Sequence, residues 1–294
     1  MLTDRLLIRM KDSSFVKRVL YSGKSEYQQI DIVELVEYGK CLILDGKHQF
    51  AQADEFIYQE AITHAPLCLH SSPKEILIIG AGGGNALREA LKHPTIESIV
   101  VVDIDKQVVD KCREYIGSDQ GAFNDPRTKL IIEGGAAYLQ ETERKFDCIL
   151  VDSTTPTPGS IASELYSPIF VKQAWRKLND GGMLCGFQSN ANFLFLDSHC
   201  IIRHMLEEVF TNVLSYMMYC PFYAISYLLT ISVKNMSVDP FNVEYIKSRV
   251  EPIRSKLRFY DEVTHLHMFN LPKYVRDAIA GSKTDVDLNN LINY

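Results

Sequence analysis

Apolar residues along this chain follow two rhythms, and the change between them falls near residue 70. In the first fifty-odd residues, β-rich runs at Phe15 to Leu20, Gln28 to Val36, Lys40 to Leu44 and Lys47 to Ala51 are separated by turn signals. Asp45-Gly46 between two apolar runs is a strong hairpin signal, and Tyr38-Gly39 marks a second turn. From Asp54 to about Leu69 the apolar positions Phe56, Ile57, Ala61, Ile62 and Ala65 recur at helical spacing. After Ser71-Ser72-Pro73 the texture changes. EILIIG, SIVVVDID, KLIIEG, FDCILVD and MLCGFQ are short, continuous apolar runs with helical segments between them. Strands of that kind, alternating with helices, predict a parallel sheet covered on both faces. The tail from roughly Asp239 reads as helical. The pattern predicts an α/β chain with a small N-terminal β-strand domain.

Composition narrows the function classes. With 31 basic against 37 acidic side chains the formal charge is −6, and there is no basic block, which argues against a nucleic-acid partner. The 7 cysteines show no C-x-x-C spacing and mostly sit in apolar runs, as reduced, buried thiols of a cytoplasmic protein do. No metal site is expected from them. The opening MLTDRLLIRMKD lacks a sustained apolar core, so a secretory signal is not expected. Val209 to Val233 carries no charge, but Pro221, four tyrosines and several hydroxyls suit two adjacent strands better than a membrane span.

The first feature with chemistry is IIGAGGGN, between a predicted strand and a predicted helix. Glycines at such a turn let the backbone approach a ligand closely. Gly80, Gly82 and Gly84 are present, but Asn85 stands where the dinucleotide fingerprint G-x-G-x-x-G has its third glycine. Asp103 ends the next strand, about 20 residues further on, where an acidic side chain grips the hydroxyls of a ribose. Together these favour an adenosine-type ligand, and the missing glycine favours an S-adenosylmethionine-type donor over NAD.

Longer segments carry a wider resemblance: YQQI, LILDGKHQFAQADEFIYQEAITHAPL, EILIIGAGGGNALREALKH, VVDID, FNDPR, FDCILVDSTTP and YDEVTHLHMFNLPKYV. In this order and spacing, from about Tyr27 almost to the C-terminus, the chain resembles the spermidine synthase family of aminopropyltransferases. The resemblance implies a Rossmann-like class I AdoMet-transferase fold, with residues 1–55 as the N-terminal β-strand domain and 56–294 as the catalytic domain. It also implies a homodimer, decarboxylated S-adenosylmethionine as co-substrate and an amine acceptor. By position, Gln28 resembles a glutamine beside the donor, and Asp103 the family's acidic ribose ligand. Tyr58 and Gln59 resemble residues lining the donor and amine pocket. Asp152 resembles the catalytic aspartate, and Tyr223 a tyrosine near the acceptor. Gly80, Gly82, Gly83, Gly84 and Gly134 fall on the donor-binding loops.

Three positions depart from the family pattern. Gly83 stands where the glycine loop usually has an aspartate, Gly134 where an aspartate reaches the adenine amino group, and Thr155 where the catalytic loop has a second aspartate. A charge-assisted hydrogen bond contributes about 1.5–3 kcal/mol, so such losses bear on which ammonium groups the site accepts. Aminopropyl transfer to an amine is the leading expectation. The alternatives are a transferase using intact S-adenosylmethionine, either an N-methyltransferase or an aminocarboxypropyltransferase, and a non-catalytic homologue. Retention of Asp152 favours an enzyme.

Overall fold

The computed structural model describes residues 15–154 and 161–282; Thr155 and the Pro158-Gly159-Ser160 stretch lie outside the described residues. The N-terminal runs form a four-stranded antiparallel meander: β1 (Val16–Lys24), β2 (Gln29–Leu35), β3 (Gly39–Leu44) and β4 (Lys47–Ala51). Asp45 and Gly46, which join β3 to β4, both have positive φ (48° and 73°), the conformation a two-residue hairpin loop demands. Helix α1 (Glu55–Leu69) then leads into the larger sheet.

That sheet has seven strands in the order β10-β11-β9-β8-β5-β6-β7. The strands are β5 (Glu75–Ile79), β6 (Ser98–Asp103), β7 (Thr128–Ile132), β8 (Phe146–Val151), β9 (Leu178–Asn190), β10 (Asn212–Cys220) and β11 (Ile225–Val233). Strands β5 to β9 pair in parallel. The uncharged stretch forms β10 and β11, which run antiparallel to each other and, through β11, to β9. The connecting helices are α2 (Asn85–Ala90), α3 (Lys106–Tyr115), α4 (Gly135–Glu141), α5 (Pro168–Lys177) and α6 (Leu196–Glu207). Helices α7 (Val243–Val250), α8 (Glu262–Phe269) and α9 (Lys273–Gly281) follow the sheet.

Continuous apolar strands are explained by where alternate residues go. In β5, Ile76 and Ile78 enter the core that holds α1, whereas Leu77 and Ile79 enter the core beneath α5 and α6. Ile99 and Val101 in β6, and Cys148 and Leu150 in β8, follow the first pair, while Val100, Val102, Ile149 and Val151 follow the second. Both faces are therefore covered, and no polar alternation is called for. The small sheet is treated the same way. Ile30, Ile32, Leu42 and Phe50 pack on Val108, Cys112 and Ile116, and Val33, Cys41 and Ile43 join the core of α1.

A buried carboxylate ties the C-terminal helices to this frame. Glu60 on α1 is 1% exposed and accepts hydrogen bonds from the backbone N–H groups of Arg258, Phe259 and Tyr260 at 2.8–3.1 Å. All 7 cysteines are free and buried. No helix among the described residues is long and apolar enough to cross a membrane.

Candidate active site

In an open α/β sheet, ligands bind beyond the carboxyl ends of the strands where the order of connection reverses. Here that point is β5, which has β6 on one side and β8 on the other. Gly80 follows β5, Asp103 ends β6, Gly134 lies just beyond β7 and Asp152 follows β8. Residues distant in sequence thus meet at one edge.

Gly80 shows why the loop needs glycine. Its φ is +97°, and a Cβ there would lie 2.0 Å from the carbonyl oxygen of Asp152. The N–H of Gly80 extends the pairing to β6 by donating to Val102 O at 2.8 Å, and that of Asp152 donates to Ile79 O at 2.8 Å. The glycine loop and the Asp152 backbone are therefore pressed together. At Gly82 no atom lies within 4 Å of where a Cβ would point, which leaves that side of the loop open.

Asp103 organises the loop as well as facing the cleft. Its Oδ2 accepts from the N–H groups of Ala81 (2.8 Å) and Gly82 (3.0 Å), and its Oδ1 accepts from that of Asp105 (2.8 Å). Burial holds its pKa above the ordinary carboxylate value, against the lowering effect of those three donors. Oδ1, with its single donor, keeps a second lone pair, so acceptance from a ribose hydroxyl remains chemically open. Gln28 reaches the same corner from the small sheet. Its Nε2 donates to Asp105 Oδ2 at 3.1 Å, beside Ser25 Oγ at 2.6 Å, while Asp105 Oδ1 caps α3 through the N–H groups of Gln107 and Val108.

Asp152 sits at the other side of the loop. Gln59 on α1 donates to its Oδ2 at 3.3 Å. Burial raises its pKa to about 6; Gln59 acts in the opposite direction, and the negative charge of Asp103 adds to the rise. A carboxylate so placed is a proton acceptor that titrates close to neutrality.

Tyrosines crowd the same carboxylate. Tyr58 and Tyr223 meet edge-on at 6.0 Å between ring centroids, Tyr58 and Tyr227 at 6.2 Å, and Tyr223 and Tyr227 at 5.4 Å. Tyr58 donates its hydroxyl to Gln188 Oε1 at 2.9 Å, and Gln188 Nε2 donates to Ser153 O at 3.2 Å. The hydroxyl of Tyr223 donates to the carbonyl of Gln49, which binds the turn between β10 and β11 to the small sheet. That turn is also held by Asp54, whose Oδ2 accepts from Phe222 N at 2.7 Å. Tyr166, Gln188 and Tyr227 join this cluster without a signal as plain as the glycine loop. For Gln188 the usable hint is its place near the carboxyl end of an apolar strand.

The two divergent glycines, Gly83 and Gly134, differ in the room around them. A Cβ at Gly134 would meet nothing nearer than Ile104 Cδ1 at 3.8 Å, whereas one at Gly135 would lie 2.3 Å from Ile79 Cγ2. At Gly83 a Cβ would lie 2.5 Å from Ser118 Oγ and 2.6 Å from the ring of Phe50. Position 134 therefore has space for a side chain, and position 83 has none as the surroundings stand.

Comparison with known proteins adds to this geometry. A family model described as "Spermine/spermidine synthase domain" matches residues 55–243, and one described as "Spermidine synthase tetramerisation domain" matches residues 11–52. A polyamine aminopropyltransferase from Sulfurisphaera tokodaii is 36% identical over 266 residues, covering 90% of this chain and 88% of the relative. One from Aeropyrum pernix is 35% identical, with 94% and 90% covered. Among solved structures, a spermidine synthase in complex with the transition-state analogue AdoDATO superposes with a TM-score of 0.82 at 30% identity, covering 90% of this chain and 89% of the other. The spermidine synthase of Thermotoga maritima gives 0.80 at 29% identity, with the same coverage.

Proposed function

The chain belongs to the spermine/spermidine synthase family, and from that premise we propose that it transfers an aminopropyl group from decarboxylated S-adenosylmethionine to a small amine. The observation that carries this reading is Asp152, a carboxylate with its pKa raised to about 6, set between the glycine loop and a cluster of tyrosines. The donor half is assigned to Gly80, Gly82, Gly83 and Gly84, with Asp103 at the ribose hydroxyls, Gln28 behind it and Gly134 at the adenine. The acceptor half is assigned to Tyr58, Gln59 and Tyr223.

In this mechanism the acceptor arrives as an ammonium, since a lysine-like amine has a pKa near 10.4. Asp152 takes one proton, which frees the nitrogen lone pair and aligns it with the methylene next to the sulfonium. The new C–N bond forms as the C–S bond breaks. The bonding pair returns to sulfur, and methylthioadenosine leaves as a neutral thioether. Gln59 orients the carboxylate, and the tyrosine rings exclude water. Incubating the protein with amines and either donor tests this directly. Methylthioadenosine from the decarboxylated donor is the expected product; S-adenosylhomocysteine from the intact donor, with no methylthioadenosine, would identify a methyltransferase instead.

The space at Gly134 yields a second expectation. Its φ of −66° is ordinary, so an aspartate fits without backbone strain. If adenine lies over this position, Gly134→Asp should tighten methylthioadenosine binding about tenfold, the lower end of one charge-assisted hydrogen bond. Unchanged affinity by calorimetry would remove residue 134 from the adenine site.

Residues 11–52 match a tetramerisation domain, which supports assembly of several copies; we read the unit as a homodimer, to be checked by light scattering. The free thiols support a cytoplasmic setting.

A further inference from the structure

The residue that interrupts the glycine fingerprint, Asn85, carries a carboxamide that the protein itself leaves unused. Asn85 is 3% exposed, and among the described residues neither its Oδ1 nor its Nδ2 has a hydrogen-bond partner. Two residues of α1 share that condition. Thr63 Oγ1 and Gln59 Oε1 are buried and unpartnered, in residues 0% and 5% exposed. Buried polar atoms are almost always paired, because an unmade hydrogen bond forfeits hydration without a replacement.

Helical spacing puts these three side chains in one seam. Asn85 shares its face of α2 with Arg88 and Glu89, three and four positions further on. Both of those reach α1: Arg88 Nη2 donates to the Glu55 carboxylate at 2.9 Å, and Glu89 Oε2 meets His64 Nε2 at 3.0 Å. Between these two contacts, Gln59 and Thr63 follow Glu55 at four-residue steps along α1. The neighbouring charges are already committed, Arg88 to Glu55 and the carbonyl of Ser118, Glu89 to His64 and Lys92. The seam also adjoins the chemistry. Gln59 gives its Nε2 to Asp152 Oδ2 at 3.3 Å, and Asn85 directly continues the glycine loop.

Resting on the aminopropyl-transfer reading, we propose that Gln59 Oε1, Thr63 Oγ1 and Asn85 Oδ1 hold the terminal ammonium of the donor's aminopropyl chain. An alkylammonium brings three N–H groups, and the seam offers three uncharged acceptors. Gln59 then serves both substrates: its Nε2 holds the base and its Oε1 the donor's tail. No member of the seam is ionised, so it attracts an ammonium without repelling a carboxylate, to which Asn85 Nδ2 is free to donate. It is a neutral counterpart of the carboxylate missing at Gly83, two residues away.

Calorimetry with decarboxylated S-adenosylmethionine and with methylthioadenosine, which keeps the nucleoside but lacks the ammonium, separates the seam from the rest of the donor site. Thr63→Val and Asn85→Leu remove the polar atoms at nearly constant volume. Each is expected to weaken the decarboxylated donor about tenfold and to leave methylthioadenosine within about twofold of wild type. Each is also expected to hold or raise the melting temperature of the unliganded protein, because an unpaired buried polar group is gone. Thr63→Ser, which keeps the hydroxyl, is expected to retain wild-type affinity for both ligands. Equal weakening of both ligands would assign the seam to the fold, and no weakening of either would leave it to buried water; each result overturns the proposal. Should Asn85→Leu fail to fold, the two Thr63 variants give the same decision. Turnover is a separate matter: no methylthioadenosine from the decarboxylated donor with any amine removes the aminopropyl-transfer reading, while the two affinities still decide what the seam holds.

Discussion

Asp152→Asn is expected to lower turnover by about three powers of ten and, at pH 8, to raise the melting temperature. The first effect follows from removing a general base, which contributes about 10²–10⁴ in rate. The second follows from the direction of the pKa change. Burial lifts the folded-state value from 3.8 to about 6, so the folded protein holds a proton there that the unfolded chain has already released. The stability this contributes is complete below pH 3.8 and is lost as the pH rises to about 6. Above that, the ionised side chain costs about 3 kcal/mol, at 1.36 kcal/mol for each pH unit. Asparagine has nearly the same shape, can still accept from Gln59, and carries no charge to desolvate. Gains of several degrees at pH 8 should shrink towards pH 5. Wild-type kcat/KM should meanwhile fall below pH 6 as the base is protonated. A variant with full activity would remove Asp152 from the chemistry. One whose melting temperature drops equally at both pH values would show that the carboxylate holds the fold rather than straining it.

The parts of this molecule that could be read from the sequence are those fixed by local rules. Asp45-Gly46 required positive φ at both positions, and continuous apolar runs such as IVVVD required cover on two faces. Both rules act within a few residues, so one sequence suffices to apply them. The glycine loop and Asp103 could be placed because their spacing reflects one βαβ unit. What could not be read depends on contacts between distant elements. The clamp of Glu60 on residues 258–260 joins segments about 200 positions apart, and no pattern near Glu60 distinguishes it from any charged helix residue. Gln188 on β9 and Tyr227 on β11 join the cluster beside Asp152 only because β8, β9 and β11 are neighbours in the large sheet, and Tyr166, from the segment between β8 and β9, joins it through the N–H of Gln188. The space around Gly83 is a further case. Sequence alone registers only a missing carboxylate at that position, whereas the structure fills the side-chain direction with Ser118 and Phe50.

That filling changes what a restored carboxylate should do. Gly83 does not have positive φ, so an aspartate there suffers no backbone strain, and the obstacle is steric alone. Phe50 is 6% exposed and packed with Ile32, Leu42 and Val108, so its ring cannot simply swing away. Gly83→Asp by itself is expected to destabilise the protein by about 1–3 kcal/mol, the range for overpacking a core. Combined with Phe50→Leu, which shortens the obstructing side chain, the aspartate should be accommodated and face the donor. A carboxylate near the donor's amino end attracts its ammonium and repels the α-carboxylate of intact S-adenosylmethionine, two terms that act in the same direction. Wild type, with neither term from position 83, should bind the two donors within about tenfold of each other. The double variant should favour the decarboxylated donor by a further 1–3 kcal/mol, about tenfold to a hundredfold, relative to Phe50→Leu alone. Competitive calorimetry with both donors measures that ratio. If it does not move, residue 83 lies away from the donor's amino end, and the acid that selects between donors must be sought elsewhere, with half-buried Glu133 beside Gly134 the first residue to replace.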